Sequence, residues 1–323
     1  MRVLQALEEL AAPLPAPVLT VGNFDGVHRA HQRLLARMVE QARAQGGTAL
    51  AMTFEPHPAK VLAPDQAPPL LTTLDQKLRL LEAAGLDAVL VLPFTQELSL
   101  LSPRQFVEEI LCRRLAMRTV YVGANFRFGH CQAGDVAVLR ELGRELGFVV
   151  EVVPRVVVRG KTVSSTLIRH LISEGRLAHA ARLLGRPFAL SGEIHTGEGR
   201  GGPLGFPTLN LAPEQECLPG RGVYVTETVV EGTAYPSATN VGLRPTFGSN
   251  RLVVESHLLD FSRRVEPGRL EVRFYERLRA EKRFSSPEAL RTQIQRDVER
   301  ARRFFSRLKK SAARRPRGVT AAD

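Results

Sequence analysis

The hydrophobic pattern of this chain changes in kind near Gly185-Arg186-Pro187, and that change constrains the fold more than any other feature. Before it, short apolar runs alternate with helical patterns, as in the predicted strand Val18–Val21 and the predicted helix His31–Gln45. After it, short apolar runs separated by Gly and Pro follow one another over residues 189–274. Alternation predicts a parallel sheet with helices on both faces, whereas successive short strands predict an antiparallel barrel or sandwich. We therefore expect a Rossmann-like α/β domain at 1–186, a β-barrel domain with a C-terminal helix at 187–310, and a basic, disordered tail at 311–323.

The periodicity also predicts the order of elements. In the first domain we predict further strands at 48–54, 88–92, 119–122 and 149–153 and helices at 74–84, 104–115 and 136–146. In the second we predict strands at 190–194, 208–211, 222–230, 234–241, 253–259 and 270–274, and a helix at 287–308 with Ser286 as N-cap. In parallel α/β folds ligands bind where strands end, so the motifs that follow these strands are candidates for one cleft.

Composition and charge exclude several classes of protein. The three cysteines lack disulfide or zinc spacing, and no apolar run reaches the roughly 18 residues of a transmembrane helix. The first residues do not resemble a signal peptide, so we expect a cytoplasmic protein. Nine Lys or Arg and no acids lie between Arg300 and Arg317, which accounts for most of the net charge of +12. Because the excess charge is confined to one end, we expect a solvated tail without nucleic-acid or membrane contact.

The predicted strand at 18–21 is followed by the sequence GNFDGVHRAH, which opens a helix. His28 and His31 are three residues apart, so their side chains are neighbours on one helical turn. A helix N-terminus binds anions through its free N–H groups, and two imidazoles there favour a nucleotide phosphate. The alternative is a glycine turn with two surface histidines. The residues predicted to cradle the phosphate are Gly22, Asn23, Phe24, Asp25 and Gly26.

Three further segments of the first domain carry side chains suited to a nucleotide. The sequence TFEPHP at 53–58 holds His57 between two prolines, and GANFRFG at 123–129 combines an amide, two aromatic rings and an arginine. The sequence SSTLIR at 164–169 opens another helix, where hydroxyls usually act as N-caps but can also bind phosphate. A rigid turn, inward-packing aromatic rings and ordinary caps are the alternatives for the three segments.

The second domain contains GRGGPLGFPTLN at 199–210, a glycine-rich loop that leads into a strand. Glycines let backbone N–H groups approach a phosphate closely, although a mobile glycine hairpin is the alternative. Thr208 and Asn210 share one face of the strand, and their neutral oxygens suit a Mg²⁺ that keeps water and phosphate ligands. Glu255, in the sequence ESHLLDF, is by itself typical of a solvated edge-strand carboxylate.

Together these motifs resemble two enzyme families. The segments of the first domain resemble the FMN adenylyltransferase module of bacterial FAD synthetases, with Ala30 where that family usually has glycine. The glycine loop, GVY at 222–224, NVGLRPTF at 240–247, ESHLLDF and LRAEKRF at 278–284 resemble riboflavin kinase. The resemblance implies that the second domain phosphorylates riboflavin to FMN, and that the first joins FMN to the nucleotide part of ATP, which gives FAD and pyrophosphate.

The same resemblance implies Mg²⁺ as cofactor, ATP as co-substrate and the roles of individual residues. It implies Glu255 as the general base of the kinase, and His28, His31 and Arg169 as the residues that act in adenylyl transfer. Besides residues 22–26, ATP or its phosphates are expected at Asn125, Ser164, Ser165, Thr166, Gly197, Gly199, Arg200, Gly201 and Gly205. Flavin is expected at Phe54, Pro56, His57, Phe126, Arg127, Phe128, Asp135, Phe206, Pro207 and Arg244, and the metal at Thr208 and Asn210.

Three alternatives stay open from the sequence. The nearest is an enzyme with only one active domain, because Ala30 departs from the pattern of the adenylyltransferases. A nucleotide-sensing or RNA-binding protein would depend on the basic tail, and a flavin-storage protein would need neither Glu255 nor the glycine loop. We expect a monomer or a weak homo-oligomer.

Overall fold

The chain divides into two compact units, Met1–Leu167 and Ile168–Asp323. The structure is a computed structural model, which describes residues 1–9, 14–195, 206–246, 249–263 and 265–313. The first unit ends before residue 186, near which the sequence predicts the domain limit. Within the described ranges no helix is long and apolar enough to cross a membrane.

A parallel sheet forms the centre of the first unit, which confirms the predicted α/β class. Its six strands lie in the order β1-β4-β3-β2-β5-β6, and all neighbours pair in parallel. Leu19 in the middle of the sheet lies opposite Leu50 on one side and Val120 on the other. The strands are β1 Arg2–Leu4, β2 Val18–Val21, β3 Ala49–Glu55, β4 Ala88–Pro93, β5 Thr119–Gly123 and β6 Val149–Val153.

Helices connect these strands, as the alternating pattern predicts. They are α1 Arg29–Ala44, α2 Pro58–Leu62, α3 Leu74–Ala83, α4 Gln96–Leu100, α5 Pro103–Gln105, a π-helix Phe106–Arg114, and α6 Val136–Leu146. Short 3₁₀ turns lie at Leu7–Glu9, Pro64–Gln66 and His130–Gln132, and a hairpin is formed by β7 Val157–Val158 and β8 Lys161–Thr162. The region predicted as one helix at 104–115 is therefore helical, but most of it is a π-helix.

Both faces of the sheet are covered, because successive strand residues point to opposite sides. Leu19 belongs to one buried cluster and the preceding Val18 to another. The first cluster includes Phe106, Leu111 and Leu139, and the second includes Leu35, Met38 and Leu81. Burial on both faces leaves the carboxyl ends of the strands as the place for polar chemistry.

The second unit contains a closed barrel, which confirms the predicted barrel domain. Its strands lie in the order β10-β13-β12-β11-β14-β9, with antiparallel neighbours, and β10 also pairs with β9 to close the ring. The strands are β9 Phe188–His195, β10 Leu209–Pro213, β11 Gly222–Val230, β12 Thr233–Thr246, β13 Ser249–Leu258 and β14 Arg269–Arg279.

The barrel interior contains a network of hydroxyl groups. Thr226 bonds to Ser237 and Thr239 at 2.8 and 2.6 Å, and Thr228 bonds to Ser237 and Ser256 at 2.8 and 2.6 Å. All five side chains are fully buried, so their mutual bonds offset the loss of water. Because side chains alternate along a strand, the buried Ser256 places its neighbour Glu255 on the outer face of the barrel.

Three helices accompany the barrel sequence: α7 Ser165–Ser173, which begins in the first unit, α8 Leu177–Leu184 and α9 Pro287–Ala313. Ser286 caps α9, as predicted, because its Oγ accepts a bond from the Ala289 N–H at 3.2 Å. Asp297 on α9 accepts a bond from Arg279 Nε on β14 at 2.8 Å. The helix includes residues 311–313, where the sequence predicts the tail to begin, and residues 314–323 lie outside the described part.

Candidate active sites

A stacked pair of histidines lies at the N-terminus of α1. His28 is the N-cap, and its Nδ1 accepts a bond from the His31 N–H at 3.4 Å. The two rings stack with centroids 3.7 Å apart, and the Phe24 ring meets His31 edge-on at 5.2 Å. Because Nδ1 of His28 accepts, the proton of the neutral ring is on Nε2, the form that donates to an anion. The i, i+3 spacing thus predicted the proximity of the histidines correctly.

The turn into α1 tolerates the residue that departs from the family pattern. Ala30 lies in the first turn of the helix, where alanine is a better helix former than glycine. The positive φ angles of the preceding loop are at Phe24, with 47°, and Val27, with 36°, rather than at Ala30. Gly22 donates its N–H to the Met52 carbonyl at 3.0 Å, so this N–H continues the sheet.

Asp25 ties the loop to the segment before α3. Its side chain is only 3% exposed, and its two oxygens accept the Leu71 N–H at 2.9 and 3.1 Å. Oδ1 also accepts the N–H and the hydroxyl of Thr72, each at 3.2 Å. The Gly26 N–H donates to the Thr72 hydroxyl at 3.2 Å. A carboxylate with these donors acts as a tether between the two segments, and the expected phosphate contact at Asp25 stays a prediction.

The hydroxyls at the start of α7 have different partners. Ser164 accepts a bond from the Leu167 N–H at 3.2 Å, which is the capping role. Ser165 donates to the Asp25 carbonyl at 3.0 Å and so joins the first turn of α7 to the histidine loop. Thr166 is exposed. Arg169 lies on the part of α7 that belongs to the second unit.

The segment TFEPHP reaches the same loop, as its position at a strand end predicts. The Asn23 amide lies 3.0 Å from His57 Nε2, and His57 Nδ1 accepts the Ala59 N–H at 3.2 Å. The Asn23 atom at this contact is the amide nitrogen Nδ2; since Nδ1 accepts and Nε2 carries the proton of the neutral ring, a hydrogen bond here requires the Asn23 amide turned by 180°. The Glu55–Pro56 peptide is cis, and Phe54 is partly buried against the core.

The loop at 123–135 carries three polar residues that were predicted to bind nucleotide or flavin. Two of them are exposed, and the third caps a helix. Asn125 and Arg127 are exposed, and Arg127 Nη1 lies 3.5 Å from Asp135 Oδ2. Asp135 accepts the backbone N–H groups of Ala137 and Val138 at 2.9 and 3.1 Å as the N-cap of α6. The Val138 bond is the largest of the effects that lower the pKa of Asp135, so this carboxyl is ionised at neutral pH.

The aromatic residues of this loop pack inward. Phe128 is 7% exposed and lies in the core, with its ring 6.1 Å from that of Phe106. Phe126 stacks on Phe128 at 5.4 Å and is partly buried. This packing favours the alternative from the sequence for Phe128, a ring that anchors the loop, over the expected flavin contact.

Burial sets the charge state of His31. Its Nδ1 is buried and has no hydrogen-bond partner within the described ranges. Desolvation, followed by repulsion from His28 and Lys77, lowers the pKa of His31 well below its usual 6.5, so the ring is neutral at pH 7. Sequence reasoning missed Lys77, which lies in the first turn of α3 and is 5% exposed. The available signal was its position in the apolar stripe between Leu74 and Leu81.

In the second unit, Glu255 lies between two asparagines on the outer face of the barrel. Strand register places Glu255 opposite Asn210 on β10 and opposite Asn240 on β12. Directly paired residues share a face, so the three polar side chains form a row. A Cβ on Gly242 would lie 2.6 Å from Glu281 Oε1, which puts a second carboxylate at this face. Asn240 and Glu281 lie in motifs that the sequence analysis noted, but neither was predicted as a site residue.

Contacts with His257 on β13 place Phe206 and Pro207 near the outer face of the barrel that carries Glu255. His257 Nδ1 donates to the Pro207 carbonyl at 2.9 Å, and Phe206 meets the His257 ring edge-on at 5.4 Å. His257 and Glu255 are two residues apart on β13 and therefore share a side. Thr208 precedes β10, although the sequence predicts it within the strand. Outside the described part lie Gly197, Gly199, Arg200, Gly201, Gly205 and the side chain of Arg244.

The donor set near Glu255 suits a magnesium ion that arrives with a nucleotide. Among the described residues, no three His, Cys, Asp or Glu side chains are grouped to hold a metal. The neutral oxygens of Thr208 and Asn210 could supply only part of a coordination shell. Mg²⁺ binds in this manner, with most ligands from phosphates and water.

Comparison with known proteins agrees with this division into two sites. The FAD synthetase family model matches residues 12–167, and the riboflavin kinase model matches residues 184–305. The bifunctional riboflavin kinase/FMN adenylyltransferase of Escherichia coli (strain K12) is 37% identical, over 94% of this chain and 98% of the relative. That of Pseudomonas fluorescens is 39% identical, over 94% of this chain and 97% of the relative.

A solved structure has the same fold. The crystal structure of a macrolide-efflux protein from Streptococcus pneumoniae superposes with a TM-score of 0.84 and 25% identity, and covers 93% of this chain and 98% of its own. The family models and the near full-length relatives confirm the resemblance seen in the sequence motifs. This chain belongs to the bifunctional riboflavin kinase/FMN adenylyltransferase family.

Proposed function

We propose that this chain phosphorylates riboflavin to FMN in its second unit and adenylylates FMN to FAD in its first. ATP is the co-substrate of both steps, and pyrophosphate leaves in the second. The observation that carries this assignment is that each unit, matched to its own family, has a polar site of its own. The first has the stacked histidines at a helix N-terminus, and the second has the row around Glu255.

The adenylylation step needs charge stabilisation more than a base. The second pKa of a phosphate monoester is about 6, so the FMN phosphate is already a nucleophile at pH 7. One of its oxygens attacks the α-phosphorus of ATP, and the bond from that phosphorus to the bridging oxygen breaks. We assign His28 and His31 to the phosphates of ATP, because imidazole N–H groups at a helix N-terminus can donate to oxygens as charge builds up.

Other residues of the first unit complete this proposed site. Asn23 and His57 form one wall, since they lie 3.0 Å apart, and Ser165 and Thr166 lie at the turn bonded to the Asp25 carbonyl. Exposed Asn125 and Arg127 are available to bind a nucleotide or a flavin phosphate. The catalytic role expected of Arg169 stays a prediction from the resemblance.

The phosphorylation step differs because its nucleophile is an alcohol, which is protonated at pH 7. A general base is therefore useful, and we assign that role to Glu255. The paired Asn210 and Asn240 are placed to orient substrate groups beside the carboxylate. The hydroxyl oxygen attacks the γ-phosphorus of ATP, and ADP leaves. Phe206 and Pro207, held by His257, would contact the flavin.

We also propose that Thr208 and Asn210 hold a Mg²⁺ that enters with ATP. Such an ion neutralises phosphate charge and orients the transferred group. Cytoplasmic location, a monomeric or weakly oligomeric state and the absence of nucleic-acid partners stay predictions.

The direct test follows both steps in one reaction. Purified chain is incubated with riboflavin, ATP and Mg²⁺, and flavins are separated by chromatography over time. We expect FMN to form first and FAD to follow, with one pyrophosphate released per FAD. Formation of neither product would refute the assignment. Accumulation of FMN alone, also when FMN is supplied, would favour the alternative of one active unit.

A further inference from the structure

Lys77 is a buried cation in the first unit. The side chain is 5% exposed, although it ends in an ammonium group. Burial lowers the pKa of Lys77, and the fields of Glu55 and then Asp25 oppose that effect. A buried ammonium is unfavourable unless an anion or several hydrogen-bond acceptors compensate for the lost water.

The nearby carboxylates do not supply that compensation by contact. Among the described residues no hydrogen bond or ion pair joins a partner to the Lys77 ammonium, and Nζ is not one of the fully buried polar atoms without a partner, so the tip of the side chain reaches the surface. Both Asp25 oxygens are used by Leu71 and Thr72. Glu55 acts on Lys77 through its field alone. The cation is therefore available to an anion that comes from outside the chain.

The fold fixes Lys77 relative to the histidine pair. Leu71 and Thr72, which Asp25 holds, come directly before Thr73, and Thr73 is the N-cap of α3 with a full capping box. The first turn of α3, with Lys77, is thus anchored to the loop that leads into His28. Among the described residues, the buried Nδ1 of His31 has no hydrogen-bond partner, and the charge of Lys77 is one of the causes that lower the pKa of His31.

We propose that Lys77 binds the polyphosphate of ATP at the adenylyltransferase site, together with Nδ1–H of His31. The inference rests on the proposed function of the first unit. When the FMN phosphate oxygen bonds to the α-phosphorus, the electron pair of the broken bond goes to the pyrophosphate oxygen. The leaving group gains negative charge at that moment. An ammonium that is already in place and only partly solvated stabilises this charge more than a fully solvated one would.

The test uses Lys77→Met in the full chain, which keeps the length of the side chain and removes its charge. Binding of inorganic pyrophosphate is measured by calorimetry, and FAD formation from FMN is measured against ATP concentration. We expect about a tenfold to hundredfold loss in pyrophosphate affinity and in kcat/KM for ATP, the range for a hydrogen bond to a charged group. Riboflavin phosphorylation serves as the internal control and should not change.

The thermal stability of Lys77→Met distinguishes a ligand-binding role from a structural one. If Lys77 has a structural role, its replacement by methionine lowers the melting temperature. If the ammonium lacks a partner in the protein, Lys77→Met raises the melting temperature or leaves it unchanged. Glu55→Gln is the matched control, since it removes a nearby charge but keeps the cation, and it should bind pyrophosphate as well as the parent or better. Loss of stability in Lys77→Met with unchanged pyrophosphate affinity, or an equal loss of affinity in Glu55→Gln, would overturn the proposal.

If Lys77→Met does not fold, the contact can be tested by NMR on the parent protein. The ¹⁵Nζ resonance of Lys77 is followed by NMR during titration with inorganic pyrophosphate. A shift with slowed proton exchange supports the contact, and an unchanged resonance at saturation contradicts it. If the parent chain makes no FAD, the proposed function itself fails. If the parent and Lys77→Met make FAD equally well, only the role of Lys77 fails.

Discussion

The imidazole rings of His28 and His31 lie stacked at the start of α1, with their centroids 3.7 Å apart. Repulsion between two charged rings at that separation is one of the effects that lower the pKa of His31. The buried Nδ1 of His31 adds a desolvation cost to its charged form. A phosphate bound at this helix N-terminus would favour the charged form instead. We therefore expect anion binding at this helix N-terminus to be coupled to protonation of His31.

This coupling predicts that the folded protein loses stability on acidification. The pKa of His31 in the folded chain is below 6.5, so between these two values the unfolded chain binds the extra proton. The stabilising contribution is complete above pH 6.5 and declines as the pH falls toward the folded pKa. We expect the melting temperature to decrease from about pH 7.5 to about pH 5.5, and pyrophosphate to reduce that decrease.

His31→Gln is the control for the pH dependence. Glutamine keeps a polar side chain of similar size but does not titrate, so part of the decrease below pH 6.5 should disappear. The same decrease in the variant and the parent would show that His31 is not the group responsible.

The Asp25 tether predicts a stability effect at some distance in sequence. Asp25→Asn replaces an acceptor oxygen by an NH₂ group that faces the N–H groups of Leu71 and Thr72. We expect the free energy of unfolding to decrease by about 1–3 kcal/mol, as for a buried donor without an acceptor. Urea denaturation of the full chain measures the change. Thr72→Ser keeps the hydroxyl that bonds to Asp25 and Gly26 and should cost less, and an equal loss in both variants would contradict the ranking.

The ion pair between Arg279 and Asp297 predicts how α9 is anchored. Asp297 is almost fully buried and also accepts a bond from Gln293 at 3.0 Å. Asp297→Ala would leave the guanidinium without its buried partner, so we expect a loss of about 3–5 kcal/mol in the free energy of unfolding. Glu214→Ala breaks the exposed pair with Arg269 and should cost less than about 1 kcal/mol. Similar losses in the two variants would mean that burial does not decide the effect.

Regular elements with strong periodicity could be predicted from the sequence. Strands β2, β6 and β11 and helix α6 have the predicted bounds, because each combines an unbroken pattern with turn residues at its ends. Strand β1 could not be found, since Arg2–Leu4 is too short to show a period and gains its pairing only from β4. The π-helix at Phe106–Arg114 has the composition of an α-helix, so its different hydrogen bonding is not visible in the sequence.

The candidate sites show the same limit. The proximity of His28 and His31 follows from local helical spacing, whereas Asn210 and Glu255 were expected at one site only from the resemblance, and the strand register shows that they are paired. The bonds of Asp25 to Leu71 and Thr72 join residues far apart in sequence, and no local pattern predicts them. The resemblance implied a flavin contact for Phe128, and its packing against Phe106 in the core is not visible in the local sequence.

The most direct test of two separate sites compares Glu255→Gln and His31→Gln in both half-reactions. Riboflavin with ATP reports the second unit through FMN, and FMN with ATP reports the first through FAD and pyrophosphate. We predict that Glu255→Gln slows FMN formation by about 10²-fold or more and leaves FAD formation near the parent rate. We predict the reverse for His31→Gln, with a loss of about 10²-fold in FAD formation. Equal losses of both activities in either variant would contradict the account.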